Sequence, residues 1–307
     1  MPHSAIGVLH PGEMGAAVGA CLTGRGHRVF WASAGRSGAT AARAWAAGLA
    51  DAGTVAELVH RAEVILSVCP PHAALAVARA VAGGGSGQAG GTLAPGFRGV
   101  YVDANAVSPA TAREVARTVT AGGARYVDGG IIGPPPDHGG STRLYLSGPG
   151  AGEVAALLAG SALAAEVIGD GVAAASAVKM AYAAWTKGTA ALLLAARALA
   201  RAEGVEPALL AEWALSQPAL PGRCLGAASS AAGKGWRWAG EMDEIAAAMT
   251  AAGLPAGFHE AAAWLYRRVP DDAAAGTDEA TLARVLGALL AGGGPGSVAG
   301  PPAPSGS

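Results

Sequence analysis

Residues 5–15 read AIGVLHPGEMG, from Ala5 to Gly15. A short apolar strand runs directly into a glycine-punctuated turn, and an alanine-rich helix is expected to follow over residues 14–23. A dinucleotide site begins in this way. The first turn of a helix presents unpaired backbone N–H groups and a partial positive charge, and a pyrophosphate can lie against them only where no side chain blocks it. Gly12 and Gly15 stand where the second and third glycines of G-x-G-x-x-G belong, while the first position is His10. The match is partial, and it makes His10, Pro11, Gly12, Glu13 and Met14 the candidate cofactor contacts of the turn.

Alternation of strand and helix continues outward from this unit. Residues 28–32, 63–68 and 100–103 read as further strands, with a weak one near 49–51; helical patterns over 38–46, 55–61, 72–82 and 109–121 separate them. More strands are expected at 125–129, 143–147 and 165–168. This order predicts a mostly parallel, doubly wound sheet of the Rossmann α/β class over residues 1–170. From residue 172 the pattern turns helical, with breaks near 204–207, 218–223 and 254–257, so an all-α domain is expected over 171–291. The Gly- and Pro-rich stretch 83–99 reads as a surface loop, and the tail 292–307 as disordered.

Bulk properties exclude several classes of partner. The 307 residues carry 21 basic and 22 acidic side chains, a formal net charge of -1, so no global field draws the chain to nucleic acid or an anionic membrane. The longest strongly apolar run, residues 188–196, is shorter than the roughly 20 residues that span a bilayer. Three scattered cysteines, Cys21, Cys69 and Cys224, form no metal or redox motif and suit a reducing cytoplasm; no secretory signal is visible at the N-terminus.

The end of the second strand bears on the choice of cofactor. An acidic residue there binds the ribose 2′-OH of NAD and repels the extra phosphate of NADP, and none occurs between Val29 and Ala50. Instead Ser33, Ser37 and Thr40 surround one guanidinium, Arg36, which favours NADP(H).

Four segments together, IGVLHPGEMG, SVCPPHAA (67–74), VDANAVSP (102–109) and SAVKMAYAAWTKG (176–188), resemble the β-hydroxyacid dehydrogenase superfamily. That group includes 3-hydroxyisobutyrate and 6-phosphogluconate dehydrogenases, with imine reductases as relatives. The turn, the GRS segment and residues 236–263 are similar to a 6-phosphogluconate-dehydrogenase-like branch with a poorly characterised C-terminal domain. The resemblance implies a Rossmann domain, a helical domain supplying half of the active site, and a homodimer built on the helical domains.

It also implies roles for single residues. Lys179 falls where these dehydrogenases keep the lysine that passes a proton to or from the substrate oxygen; Lys179 and Lys187 are the only charged side chains between residues 172 and 196, and such apolar surroundings are expected to desolvate the ammonium. Asn105, just past the fifth strand, is placed to orient substrate or nicotinamide, and Ser108 is expected to cap the helix opened by Pro109. Cys69 and Pro70 resemble the segment that lines the nicotinamide ribose. Three departures concern the substrate. DGGIIGPPP puts Ile132 beside Gly133 where relatives have a serine for a carboxylate; Ala183 replaces an asparagine, with Tyr182 offering a hydroxyl one turn on; and Asp243, Glu244 and Ile245 stand where a K-D-L pattern is usual, so that Asp243 becomes a candidate contact for an amine or a partner subunit. The expected activity is hydride transfer between NADP(H) and a small carbonyl or hydroxyl compound. Imine reduction and non-catalytic dinucleotide binding are the alternatives.

Overall fold

A computed structural model of the chain describes residues 4–84, 96–136 and 141–291. Most of the expected loop at 83–99, and the tail at 292–307, lie outside the described residues. Two compact units are present, Met1–Ala184 with Asp243–Ala256, and Trp185–Met242 with Gly257–Ser307.

The first unit is built on one eight-stranded sheet in the order β3-β2-β1-β4-β5-β6-β7-β8. Its elements alternate as β1 (Ala5–Leu9), α1 (Glu13–Gly24), β2 (Arg28–Trp31), α2 (Gly38–Ala46), β3 (Ala50–Asp51), α3 (Val55–Arg61), β4 (Val64–Ser67), α4 (Ala74–Ala82), β5 (Val100–Asp103), α5 (Pro109–Ala121), β6 (Arg125–Ile132), β7 (Thr142–Ser147), α6 (Ala151–Leu158) and β8 (Leu163–Val167). All neighbouring strands pair in parallel except β6 and β7, so the Rossmann sheet is mostly parallel. The strands read as continuous apolar runs because both faces are covered. On one face Ile6, Val8, Leu66, Val102 and Leu144 meet Val18 and Leu22 of α1 and Val154 of α6. On the other, Leu9, Ile65 and Tyr101 meet Leu58 of α3, Val81 of α4 and Val115 of α5.

Three local differences from the sequence expectation have physical reasons. The helix expected from residue 72 opens with a 3-10 turn at Pro71–Ala73, because Pro70 and Pro71 remove two backbone donors and hold the chain extended before it turns. Strand β6 runs beyond Gly129 to Ile132, since Ile131 and Ile132 pair with Leu144 and Arg143 of the antiparallel β7. In the helical part, the break expected at 218–223 closes sooner. Pro221 sits in the first turn of a helix beginning at Leu220, where a missing N–H costs nothing.

The helices that follow are α7 (Ala174–Ala202), α8 (Glu206–Ser216), α9 (Leu220–Ala251), α10 (Gly257–Arg268) and α11 (Glu279–Leu290). The second unit packs Leu194, Cys224, Ala228, Tyr266, Leu282 and Leu286 in its interior. Inside it, Arg197 and Arg201 both clasp Glu206, at 2.6 and 2.8 Å, and fix the turn from α7 into α8. Lys187 pairs with Glu241, and Tyr266 donates to the Lys187 carbonyl at 2.6 Å.

Leu66 is 1% exposed on a central strand. Leu66→Ala is expected to destabilise the protein by about 2–5 kcal/mol, seen as a lower urea midpoint with an unchanged slope.

Candidate active site

The turn after β1 is fixed by two features of its backbone. His10 adopts a left-handed conformation, φ 65°, and the Gly12 N–H donates to the His10 carbonyl at 2.7 Å, so the chain reverses at once into α1. A Cβ at Gly15 would lie 2.5 Å from the His10 carbonyl oxygen, so glycine is required for helix and strand to meet there. Gly12 differs: its φ is -66° and an added Cβ would meet no atom within 4 Å. Among the described residues nothing requires glycine at position 12, and a pyrophosphate approaching the first turn of α1 would. The turn therefore fits a dinucleotide on its own geometry.

His10 also reaches the segment expected to hold a 2′-phosphate. Its Nε2 lies 2.6 Å from Nη2 of Arg36, while Nδ1 is buried without a hydrogen-bond partner among the described residues. Burial, and then the Arg36 charge, lower the His10 pKa to about 4. The neutral ring thus accepts from the guanidinium and aims it. Ser37 caps α2, its hydroxyl accepting from the Thr40 N–H at 3.3 Å, and Arg43 donates to Thr40 at 3.2 Å. Sequence reasoning missed Asp51: pairing of β2 with β3 sets it opposite Trp31, and its carboxylate accepts from the Gly53 N–H at 2.7 Å. That bond, followed by one from Ser33, holds the Asp51 carboxyl below the usual range. Ser33 is therefore engaged by a carboxylate, and Arg36 with Arg43 supplies the positive charge of this corner. Glu13 is exposed in the first turn of α1, between buried Pro11 and half-buried Met14.

A second group of residues forms a buried polar row across the carboxyl edge of the sheet. Ser67, Asp103, Asp128 and Ser147, all fully buried, stand in register on β4, β5, β6 and β7. Asn105 extends the row from the loop past β5. Its amide nitrogen donates to Ser67 at 3.0 Å and to Asp103 at 2.5 Å, and its amide oxygen accepts from the Cys69 N–H at 2.6 Å. At 2% exposure, the amide is directed into the protein and braces the Cys69–Pro70 turn. The thiol of Cys69 is pushed up to about 12, chiefly by burial, and is not a nucleophile. Ser108 caps α5 as expected, and Glu244 accepts from the Ser108 N–H at 2.7 Å and the Thr111 hydroxyl at 2.9 Å. Of the residues at the K-D-L position, Glu244 anchors α5, Ile245 is fully buried and Asp243 is exposed.

Asp128 continues the row to the lysine helix. It accepts from the Ser176 N–H at 2.8 Å and the Ser176 hydroxyl at 2.6 Å, and Ser147 accepts from the Ala175 N–H at 3.1 Å. A carboxylate thus caps the first turn of α7, where the helix dipole favours negative charge. One turn later Lys179 donates to the Ile131 carbonyl at 2.7 Å. Gly130 makes that approach possible, since a Cβ there would lie 2.7 Å from the Ala175 carbonyl oxygen and 3.2 Å from the Lys179 Cβ. Ile131 and Ile132 are buried, Gly133 takes a left-handed conformation, and Tyr182 is 48% exposed.

Known proteins account for this architecture. Residues 5–148 match the NAD binding domain of 6-phosphogluconate dehydrogenase, and residues 200–269 match a domain of unknown function (DUF1932). The protein MTH1747, of unknown function and described as structurally similar to 3-hydroxyacid dehydrogenases, is 26% identical, with TM-score 0.61 over 85% of this chain and 98% of its own. The fold is shared with 3-hydroxyisobutyrate dehydrogenase of Mycobacterium tuberculosis, 19% identical, TM-score 0.63, over 92% and 98% of the two chains. A reductive aminase from Aspergillus terreus, solved with NADPH and ethyl-5-oxohexanoate, is 22% identical with TM-score 0.53 over 87% and 93%. No curated protein matches the chain.

His10 yields a prediction with a definite sign. Its folded pKa is depressed, so the unfolded chain takes up the proton first as pH falls, and stability present above about 6.5 is lost down through about 4. His10→Asn tolerates the left-handed backbone and removes this loss, measured as the difference in melting temperature between variant and parent across that range. The chain thus joins a segment that matches the NAD binding domain of 6-phosphogluconate dehydrogenase to one that matches the DUF1932 domain.

Proposed function

We propose that the protein is an NADP(H)-dependent oxidoreductase that interconverts a carbonyl and a hydroxyl on a small organic substrate, with Lys179 as the acid and base. The observation that carries this reading is the lysine itself, held at the Ile131 carbonyl at the end of β6, one strand over from the Asn105 loop. The nicotinamide, when bound, supplies or accepts a hydride at C4. Lys179 gives its proton to the substrate oxygen as a carbonyl is reduced and takes one back in the reverse direction. The first turn of α1 holds the pyrophosphate, and Arg36, aimed by His10 and supported by Arg43, holds the 2′-phosphate. Cys69 and Pro70, braced by Asn105, form the wall for the nicotinamide ribose. Ile132 and Gly133 face the substrate, and the isoleucine suits an apolar body better than a carboxylate. Tyr182 and Asp243, at positions where the chain departs from the resemblance, are exposed in the single chain and stand on the substrate side in this reading.

A second chain supports the helical unit in this reading. Trp185, Leu192 and Leu199 recur at seven-residue intervals on α7 with 67%, 54% and 63% exposure, and α8 buries none of its residues. A homodimer through these helices removes the apolar stripe from water. Among the described residues no helix is long and apolar enough to cross a membrane, and three free cysteines suit a reducing compartment.

Reduction of a C=N bond is the second reading, favoured by the apolar Ile131–Ile132 end of β6. The test is NADPH consumption against oxo-acids, aldehydes, ketones and cyclic imines, with Lys179→Met alongside. Carbonyl turnover that falls about a hundredfold or more in the variant supports Lys179 as acid and base. Imine turnover that survives the variant replaces the first reading with the second, and NADPH binding without turnover makes the chain a non-catalytic binder. Arg36→Ala is expected to weaken NADPH binding about tenfold or more and leave NADH binding nearly unchanged, by fluorescence titration.

A further inference from the structure

Two carboxyl groups stand side by side beneath the carboxyl edge of the sheet. Asp103 on β5 and Asp128 on β6 are register partners on neighbouring parallel strands, so their side chains leave the same face of the sheet about 5 Å apart at the backbone. Both are fully buried. Their surroundings are unequal. Asp128 accepts from the Ser176 N–H and hydroxyl, and from the Ser147 and Tyr126 hydroxyls, each at 3.4 Å. Asp103 accepts from the Asn105 N–H and amide at Oδ1 alone; its Oδ2 is buried with no hydrogen-bond partner among the described residues.

The groups facing Asp103 come from several elements. Asp128 lies on β6 and Glu244 on α9, the phenols of Tyr101 and Tyr126 on β5 and β6, and the Cys69 thiol follows β4. The Lys179 ammonium, from α7, is engaged at the Ile131 carbonyl. Burial raises both carboxyls, and of two in such a place the one whose charge four donors support ionises first while the one with a bare oxygen keeps the proton. Burial acts most strongly on Asp103, opposed by the Asn105 N–H and reinforced by the Asp128 and Glu244 charges, and its carboxyl is pushed up to about 7.

We propose that Asp103 is a positioning residue whose neutral acid form holds the Asn105 brace, and with it the Cys69 turn, in register with the Asp128 cap on the lysine helix. As the acid, Asp103 accepts from Asn105 without setting a second charge against Asp128. Loss of the proton puts two anions on adjacent strands in a dry interior, and the relief available is separation of the end of β5 from the end of β6. That separation moves the Cys69–Asn105 wall away from Lys179. The catalytic consequence rests on the oxidoreductase reading; the held proton does not.

The test pairs activity with two measurements that need no turnover. In the full-length protein, NADPH affinity is expected to fall about tenfold per pH unit above about 7, and Asp103→Asn, a neutral isostere that keeps the acceptor for Asn105, removes that fall and leaves in kcat/KM only the limb that belongs to Lys179. Infrared difference spectra of protein carrying 13C-labelled aspartate are expected to show a protonated carboxyl that ionises near that pH and is missing from the variant. A fall in NADPH affinity that persists in Asp103→Asn, or wild-type spectra with no carboxylic acid at about pH 6, overturns the proposal, and the second result is readable even if the variant does not fold. If the acid band is present and Asp103→Asn flattens NADPH binding while no substrate turns over, the oxidoreductase reading fails and the role of Asp103 stands.

Discussion

The carboxyl edge of the sheet is organised by one buried carboxylate. Asp128 accepts from the first turn of α7 and from Ser147 on the antiparallel β7, so one side chain ties together the strand whose Ile131 carbonyl accepts from Lys179, the strand beside it and the helix that carries the lysine. Removing such an acceptor leaves several donors buried without partners, a loss larger than that of any single hydrogen bond. The same row continues through Asp103 and Asn105 to the Cys69 turn. Positions that flank the proposed reaction are thus set by a polar seam within the sheet, and the loops above inherit its geometry.

The cofactor end works on a different principle. At the turn after β1 there is little side-chain chemistry; the backbone of His10, the close approach at Gly15 and the open face at Gly12 shape a surface of N–H groups. In the proposed reading selectivity enters one step away, where a neutral imidazole holds a guanidinium. Asp51 sharpens this corner by drawing Ser33 to itself, so Arg36 and Arg43 offer charge while a carboxylate lies close by.

Much of this was legible in the sequence, because strand–turn–helix alternation and caps are local signals. The turn at 10–15, the Ser108 cap and the alternation that gives a mostly parallel sheet all follow from patterns a few residues long. What was hidden depends on contacts distant in the chain. Gly129 reads as the end of a strand, yet pairing with β7 carries β6 on to Ile132. Asn105 sits at the edge where ligands bind, but its partners at Ser67 and Cys69 are 38 and 36 residues away, so the inward direction of its amide was invisible. Asp51 follows the stretch 29–50 in the chain, and only β2–β3 pairing brings it to Ser33. Gly130 looked like one glycine among 48 until α7 was seen to pack on it.

The left-handed backbone of His10 has a consequence for the unfolded chain as well. A glycine there would adopt φ 65° without strain, and a residue with a Cβ gives up about 1–3 kcal/mol to do so. Against this, a histidine samples fewer conformations than glycine when unfolded, which returns about 0.4–1 kcal/mol of entropy on folding. The imidazole is therefore obtained at an expense that the entropy term offsets in part. The turn that begins the fold is stiffer before it folds than the glycine-first version of the same motif.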